Sequence, residues 1–320
     1  MTDLWHTVYV KRRQALYLLA ILLTLYVILP QLGSFRASKA QLAHIRLEYV
    51  VLAVIAMGLT YTAAAGTYGF LALNRLKYRD TVLVQMASNF VNRLLPAGIG
   101  ALGANYAYLR RSKHSSSQAV TVVSINNILG IIGHLAIVAL AVGFFRKQLQ
   151  TVQLGHVRHE LQWLVAGLII LLPLVLFLAR PHGRLRQVGH EISVQLGHYR
   201  RRPERLLGAL LTSMTLTLCN VLSLWYCAQA LHAHLSFVTI LLIFSLGVGV
   251  GTVTPSPGGL GGVEAGLVAG FVAYHLTGAQ ALAVALLYRL ITYWLPLIVG
   301  AFVFVLCVRR ELFSRQQLTH

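Results

Sequence analysis

Three ionisable side chains, Arg93, Glu264 and Arg289, fall inside apolar stretches of the 320-residue chain. An ionisable group at membrane depth costs about 2.5–3.5 kcal/mol on insertion scales, so it marks a functional site unless a partner accounts for it. Glu264 alone among the 8 acidic residues lies well inside an apolar run. Its natural partner is Arg289, one helix later in Leu286-Leu-Tyr-Arg-Leu290. Two readings of the pair stand side by side. It is a structural ion pair that locks a hairpin to the last helix, or Arg289 meets an anionic headgroup while Glu264 serves as counter-charge or proton-coupling carboxylate. A guanidinium suits phosphate because its planar fork makes bidentate bonds.

Arg93 lies in Asn89-Phe-Val-Asn-Arg-Leu-Leu-Pro96, beside Asn89 and Asn92. It either snorkels to the interface or captures a headgroup phosphate, with Asn92 as a further substrate contact. Asn126, Asn127 and His134 in the fourth apolar stretch, and Thr212, Ser213, Thr215, Thr217, Asn220 and Ser223 in the sixth, read mainly as hydrogen-bonding residues between helices. Some of them could line a path; Asn127 joins the candidate substrate contacts.

These residues flank two interruptions. The run Pro255-Ser-Pro-Gly-Gly-Leu-Gly-Gly-Val-Glu264 breaks an apolar stretch at Pro255, Pro257, Gly258, Gly259 and Gly261. Pro96, Gly98 and Gly100 form the earlier break. Glycines alone would be explained by close helix packing in lipid, but prolines also remove backbone donors. Irregular backbone at membrane depth is tolerated only where protein or a wet cavity satisfies its polar groups.

The elements that position these residues follow from composition. With 57% hydrophobic and 11% charged residues and a mean hydropathy of +0.69, the chain reads as an all-α polytopic membrane protein forming one transmembrane domain over residues 1–320. Apolar stretches run from Ala15 to Leu32, Leu47 to Leu73, Thr81 to Leu109, Gln118 to Phe145, Leu161 to Ala179, Leu206 to Leu231, Leu235 to Tyr274 and Ala279 to Val308. Several reach the roughly 20 residues that cross a bilayer core. The first follows Lys11-Arg12-Arg13 like a signal peptide, but it is longer than a usual h-region and is read as the first spanning helix.

Overlaying the halves 159 residues apart places Pro96 on Pro255, Gly100 on Gly259 and Asn105 on Glu264; after a three-residue shift Asn127 falls on Arg289. The chain therefore reads as two repeats, 1–150 and 151–320, each with two spanning helices, a Pro/Gly-broken hairpin and a final spanning helix. Charge sets their orientation. If each hairpin returns to its own side and the N-terminus is cytoplasmic, 19 Lys and Arg lie inside and 6 outside; if each crosses once, the split is 12 to 13. The positive-inside rule selects the first arrangement, with both termini cytoplasmic and the repeats inverted. The second hairpin is long enough for either re-entry or two full crossings, which preserve the same parity.

The sequence lacks the Gly-x-x-x-x-Gly-Lys-[Ser/Thr] loop, the Gly-x-Ser-x-Gly elbow and the His-Glu-x-x-His motif. No enzymatic activity, cofactor or metal is expected. The three cysteines have no zinc or redox spacing, and the formal net charge of +19 would draw the cytoplasmic face to anionic lipid.

The run from Pro255 to Glu264, the following Gln280-Ala-Leu-Ala283, the Tyr288-Arg289 helix and Asn92-Arg-Leu-Leu-Pro-Ala-Gly98 with Gly100 resemble the lysylphosphatidylglycerol synthase transmembrane region, or flippase-like, family. That family is also known as uncharacterised protein family 0104. The resemblance covers most of the chain and implies a bacterial or archaeal inner-membrane protein that handles lipid. In the multiple peptide resistance factors this module moves aminoacylated phosphatidylglycerol between leaflets, and a separate cytosolic domain makes it. No such synthase domain is found in this sequence, so aminoacyl transfer is not carried over. Other family members are associated with isoprenoid, hopanoid or glycolipid pathways.

The expected function is translocation of an anionic, aminoacylated or glycosylated lipid headgroup, with Arg289, Glu264, Arg93, Asn92 and Asn127 as substrate-contacting residues. A proton- or ion-coupled small-anion carrier is the alternative, as is a non-transporting partner of a lipid-modifying transferase. The expected partners are anionic phospholipid or polyprenyl-linked lipid and such a transferase, not nucleic acid; homo-oligomerisation is left open.

Overall fold

The computed structural model describes residues 45–95, 98–144, 197, 199, 202–254 and 256–313. The expected spans Ala15 to Leu32 and Leu161 to Ala179, the breaks Pro96 and Pro255, and both termini lie outside the described residues. Within them the chain is helical throughout, with no strand. The helices are α1 (Leu47–Leu71), α2 (Tyr78–Leu94), α3 (Ile99–Arg111), α4 (Ser116–Phe144), α5 (Pro203–Ala230), α6 (Phe237–Val253), α7 (Gly262–Ala273), α8 (Gly278–Arg289) and α9 (Leu295–Arg309). A π turn, Leu290–Trp294, joins α8 to α9, and a 3-10 turn, Pro257–Gly259, lies between α6 and α7.

Among the described residues four helices are long and apolar enough to cross a membrane: α1, α4, α5 and the continuous run Gly278–Arg309. The others are short for a crossing. Each 17-residue helix, α2 or α6, rises about 25 Å at ~1.5 Å per residue, against a hydrocarbon core of ~30 Å.

Local sequence sets where the helices start and stop. Ser236 caps α6 by accepting from the Thr239 N–H, while Thr277 and Gln280 form a reciprocal capping box on α8. Leu95 and Thr254, each followed by proline, adopt extended backbone and end α2 and α6, as the clash with a proline ring requires. Each hairpin restarts from a left-handed glycine, Gly98 at φ 76° and Gly261 at φ 79°. The return is tight: a Cβ on Gly100 would lie 2.4 Å from the Val91 carbonyl oxygen, and one on Gly262 would lie 2.0 Å from Thr254 Oγ1.

The α1–α5 packing is the most extensive between any two described helices. Small residues make it close, with Ala53 and Ser223 fully buried and Ser223 Oγ donating to the Ala53 carbonyl at 3.0 Å. Thr67 and Thr212 add a hydroxyl contact at 3.0 Å.

Loop contacts distinguish two ends of the bundle. At one, Asn74 Nδ2 donates to the Lys113 carbonyl, Tyr199 to Leu71, Arg205 to Ala72 and Arg111 to Glu311. At the other, the Arg46 N–H donates to the Ala230 carbonyl, and Leu231, Leu235, Tyr274 and Leu276 all pack against one buried apolar cluster. Hairpin α2–α3 starts and finishes at the first end, closed by a 2.8 Å Thr81–Tyr108 hydroxyl contact. Hairpin α6–α7 starts and finishes at the second.

Helices α2 and α6 start and end 159 residues apart, whereas the ends of α3 and α7 and the starts of α4 and α8 are 162 apart.

Candidate functional site

Arg289 closes α8 and is 6% exposed. Its Nε meets Glu264 Oε1 at 2.8 Å and its Nη2 donates to the Gly258 carbonyl at 3.3 Å. Glu264 sits in the first turn of α7, where a carboxylate is favoured by the helix N-terminus. Gly258 turns this carbonyl inward with φ 62°, and a Cβ there would strike the Tyr293 ring at 2.5 Å. One arginine thus ties α8 to the 3-10 turn of the second break and to the helix that follows it.

The next five residues depart from α geometry. The Leu295 N–H donates to the Leu290 carbonyl, a five-residue step. Pro296 has no N–H, so the carbonyl of Thr292, four residues earlier, lacks its α-helical donor. Arg93 Nη2 from the end of α2 takes that carbonyl. π turns of this kind occur frequently at functional sites.

Tyr293, 1% exposed, lies between the two cations. The Arg289 and Arg93 guanidinium carbons stand 4.4 and 5.2 Å from its ring centroid, and its hydroxyl donates to the Arg93 carbonyl at 3.4 Å. A phenol face stabilises nearby cations that water does not reach. Around it Phe90, Val91, Leu94, Trp294, Leu297 and Leu260 form an apolar cluster, which brings the tip of the second hairpin against the end of α2.

Beside this cluster is a cavity of about 400 Å³ lined from α1, α2, α3, α5, α6, α7, α8 and the π turn. Arg93, Arg289 and Thr292 line it with Gln85, Ser88, Asn89, Asn92, Asn105 and Asn220. Each carboxamide is partly engaged: Gln85 Nε2 donates to Asn105 Oδ1 at 2.8 Å, Asn89 Nδ2 to the Tyr61 hydroxyl at 3.2 Å, and Asn220 Nδ2 to the Leu216 carbonyl at 3.0 Å. Asn92 Oδ1 accepts from the Ala101 N–H at 3.3 Å, binding the two arms of the first hairpin. Arg93 Nη1 and Ser88 Oγ are buried with no hydrogen-bond partner among the described residues.

Of the residues expected to contact substrate, the structure brings Arg93, Asn92 and Arg289 to one cavity, with Glu264 paired to Arg289. Arg93 is 8% exposed and turns to the last helix. Asn127 is placed elsewhere: it does not line the cavity, and its Nδ2 donates to Val123 of its own helix at 3.0 Å. The breaks Gly98, Gly100, Pro257, Gly258, Gly259 and Gly261 lie where the hairpins turn. Sequence reasoning missed Thr292, Tyr293, Gln85 and Ser88. The four-residue spacing of Thr292 and Pro296 was the available signal, since it leaves a mid-helix carbonyl open to a side chain.

Fold and site together define a multi-pass helical membrane protein with a polar, cation-bearing cavity beside two broken hairpins. Residues 14–300 match the family described as Lysylphosphatidylglycerol synthase TM region, and the chain belongs to it. Its relatives include UPF0104 membrane proteins of three archaea. The chain is 31% identical to that of Pyrococcus horikoshii over 114 residues, 36% of this chain and 34% of the relative. It is 32% identical to that of Methanothermobacter thermautotrophicus over 97 residues, 30% of this chain and 29% of the relative. These two matches span about a third of the relatives' lengths. With the protein of Methanocaldococcus jannaschii the identity is 22% over 298 residues, covering 83% of this chain and 86% of the relative.

Proposed function

We propose that this protein is a flippase-like lipid translocator of the inner membrane, moving an anionic, aminoacylated or glycosylated headgroup between leaflets while the acyl chains stay in the bilayer. The observation that carries this reading is the meeting of both broken hairpins at a cavity where Arg93 and Arg289 share Tyr293. A headgroup crossing the core needs buried polar partners to replace its water, and this cavity supplies them. The family's membership in lipid-handling membrane modules points the same way.

Two inverted repeats give such a cavity access from both faces. The helix lengths support them: 25, 17, 13 and 29 residues for α1 to α4 against 28, 17 and 12 for α5 to α7 and a final run of 32. The ends of hairpin α2–α3 and those of hairpin α6–α7 lie at opposite ends of the bundle, as re-entry from opposite faces requires. Lys and Arg from residues 74–80, 110–114, 202–205 and 309–313 gather at the first end, which we assign to the cytoplasm with both termini. The protein itself performs no covalent chemistry in this reading; a separate transferase makes the lipid it moves.

The test is reconstitution into vesicles holding a trace of headgroup-labelled phospholipid, read by chemical quenching of the outer leaflet. Quenching beyond the outer half, faster than in protein-free vesicles, is expected. Protein-free rates, together with uptake of free phosphate or another small anion, would reject lipid translocation in favour of an anion carrier.

A further inference from the structure

Resting on that lipid reading, we propose that the cavity selects a headgroup with one negative charge and several hydroxyls, and that Arg93 rather than Arg289 grips its phosphodiester. Two of the three Arg289 guanidinium nitrogens are committed: Glu264 holds Nε and the Gly258 carbonyl holds Nη2. Arg93 gives Nη2 to the Thr292 carbonyl and its guanidinium also meets the Tyr61 hydroxyl, while Nη1, on a side chain from a residue 8% exposed, makes no hydrogen bond among the described residues. A buried guanidinium nitrogen without an acceptor is costly, so a ligand oxygen that completes it is bound with corresponding strength.

Charge sets the stoichiometry. Among the described lining and contacting groups the ionised side chains are Arg93, Arg289 and Glu264, which sum to one positive charge. A phosphodiester monoanion neutralises it. A phosphomonoester dianion would leave an uncompensated negative charge beside these buried side chains, which low-dielectric surroundings penalise.

The rest of the lining is neutral and two-faced. Gln85, Asn89, Asn92, Asn105 and Asn220 each retain donor or acceptor capacity beyond the bonds described above, and Ser88 Oγ is unpartnered. Carboxamides both give and accept hydrogen bonds, as hydroxyls do. They match a polyol or sugar, whereas an ammonium headgroup would ask for carboxylates, and the one acid here is held by Arg289. A cavity of about 400 Å³ lies within the roughly 300–1,000 Å³ range of small-ligand pockets.

Native mass spectrometry of the intact protein, titrated at about pH 8.5 where phosphomonoesters are dianionic, separates these features. The probes are phosphatidylinositol (one charge, polyol), phosphatidylmethanol (one charge, no hydroxyl) and phosphatidic acid (two charges), with glycerophosphoinositol as the soluble counterpart. The expected order is phosphatidylinositol over phosphatidylmethanol by at least threefold, and phosphatidylmethanol over phosphatidic acid by at least tenfold. Glu264→Gln raises the site charge by one and should invert the second preference; the double variant Glu264→Gln with Arg289→Gln restores the net charge and should restore it. Ser88→Ala removes a hydroxyl that makes no internal bond, so it should keep the fold and lower phosphatidylinositol affinity severalfold.

Equal binding of phosphatidic acid and phosphatidylmethanol by wild type, or an unmoved ratio in folded Glu264→Gln, overturns the charge match. Unchanged affinity in Ser88→Ala overturns the hydroxyl match. Glycerophosphoinositol binding as tightly as the lipid assigns the same chemistry to a soluble diester. Selective binding without vesicle translocation would reject the proposed function and leave this selectivity standing, whereas translocation with dianion preference would do the reverse.

Discussion

The Arg93 guanidinium caps the main-chain carbonyl of Thr292, joining the end of α2 to the middle of the last helix. That carbonyl is open because Pro296 supplies no N–H. An interior proline costs about 3 kcal/mol relative to alanine in a helix. Pro296→Ala should therefore leave thermal stability unchanged or raise it, while the new N–H competes with Arg93 and slows translocation severalfold. A variant that is stabilised and fully active would show that the clasp has no part in transport.

The Glu264–Arg289 pair is buried, with side chains 11% and 7% exposed. Removing one member of a buried pair strands the other charge and typically costs about 3–5 kcal/mol. Glu264→Gln is expected to lower the unfolding temperature markedly, and adding Arg289→Gln should recover most of the loss. Thermal unfolding of the two single variants and the double in one detergent checks this; additive losses would mean that the pair is not coupled.

Gly100 and Gly103 lie three residues apart on α3 but meet different surroundings. A Cβ at 100 would collide with Val91 backbone at 2.4 Å, whereas nothing stands within 4 Å of one at 103. Gly100→Ala should destabilise by about 1–3 kcal/mol, the usual range for overpacking. Gly103→Ala should be neutral or mildly stabilising. Equal melting shifts would contradict the tight return of the first hairpin.

His114 lies in the turn between α3 and α4 and is 2% exposed. Its Nδ1 donates to the Leu109 carbonyl at 3.1 Å and its Nε2 accepts from the Asn74 N–H at 3.2 Å, a pattern that requires neutral imidazole. Burial pushes its pKa below the ordinary histidine range. The unfolded chain takes the proton near pH ~6.5 and the folded chain only below that, so stability rises with pH through this window and falls on acidification. Melting at pH 8 and pH 5.5 should drop more in wild type than in His114→Asn; parallel drops would place the sensitivity elsewhere.

Much of this was legible in the sequence because membrane solvent makes certain residues conspicuous. Glu264, Arg289 and Arg93 stand out where charge is costly, and both breaks show as proline with glycine. The inward partners of those residues were less visible. Tyr293 and Gln85 look like ordinary residues of apolar helices, and only tertiary packing turns the ring under two arginines. Asn127 illustrates the converse. It falls on Arg289 in the overlay of the two halves, yet its amide donates to the Val123 carbonyl of its own helix. The open Thr292 carbonyl depended on the absence of one N–H, at Pro296, a signal carried by a single residue.

The most direct measurement is translocation of headgroup-labelled lipid through Asn220→Cys in vesicles, before and after a thiol-reactive blocker. Asn220 lines the cavity, while the native Cys219, Cys227 and Cys307 are buried. The blocker should reduce the variant to the protein-free rate and leave wild type unaffected. Continued translocation by fully labelled Asn220→Cys would contradict passage of the headgroup through this cavity.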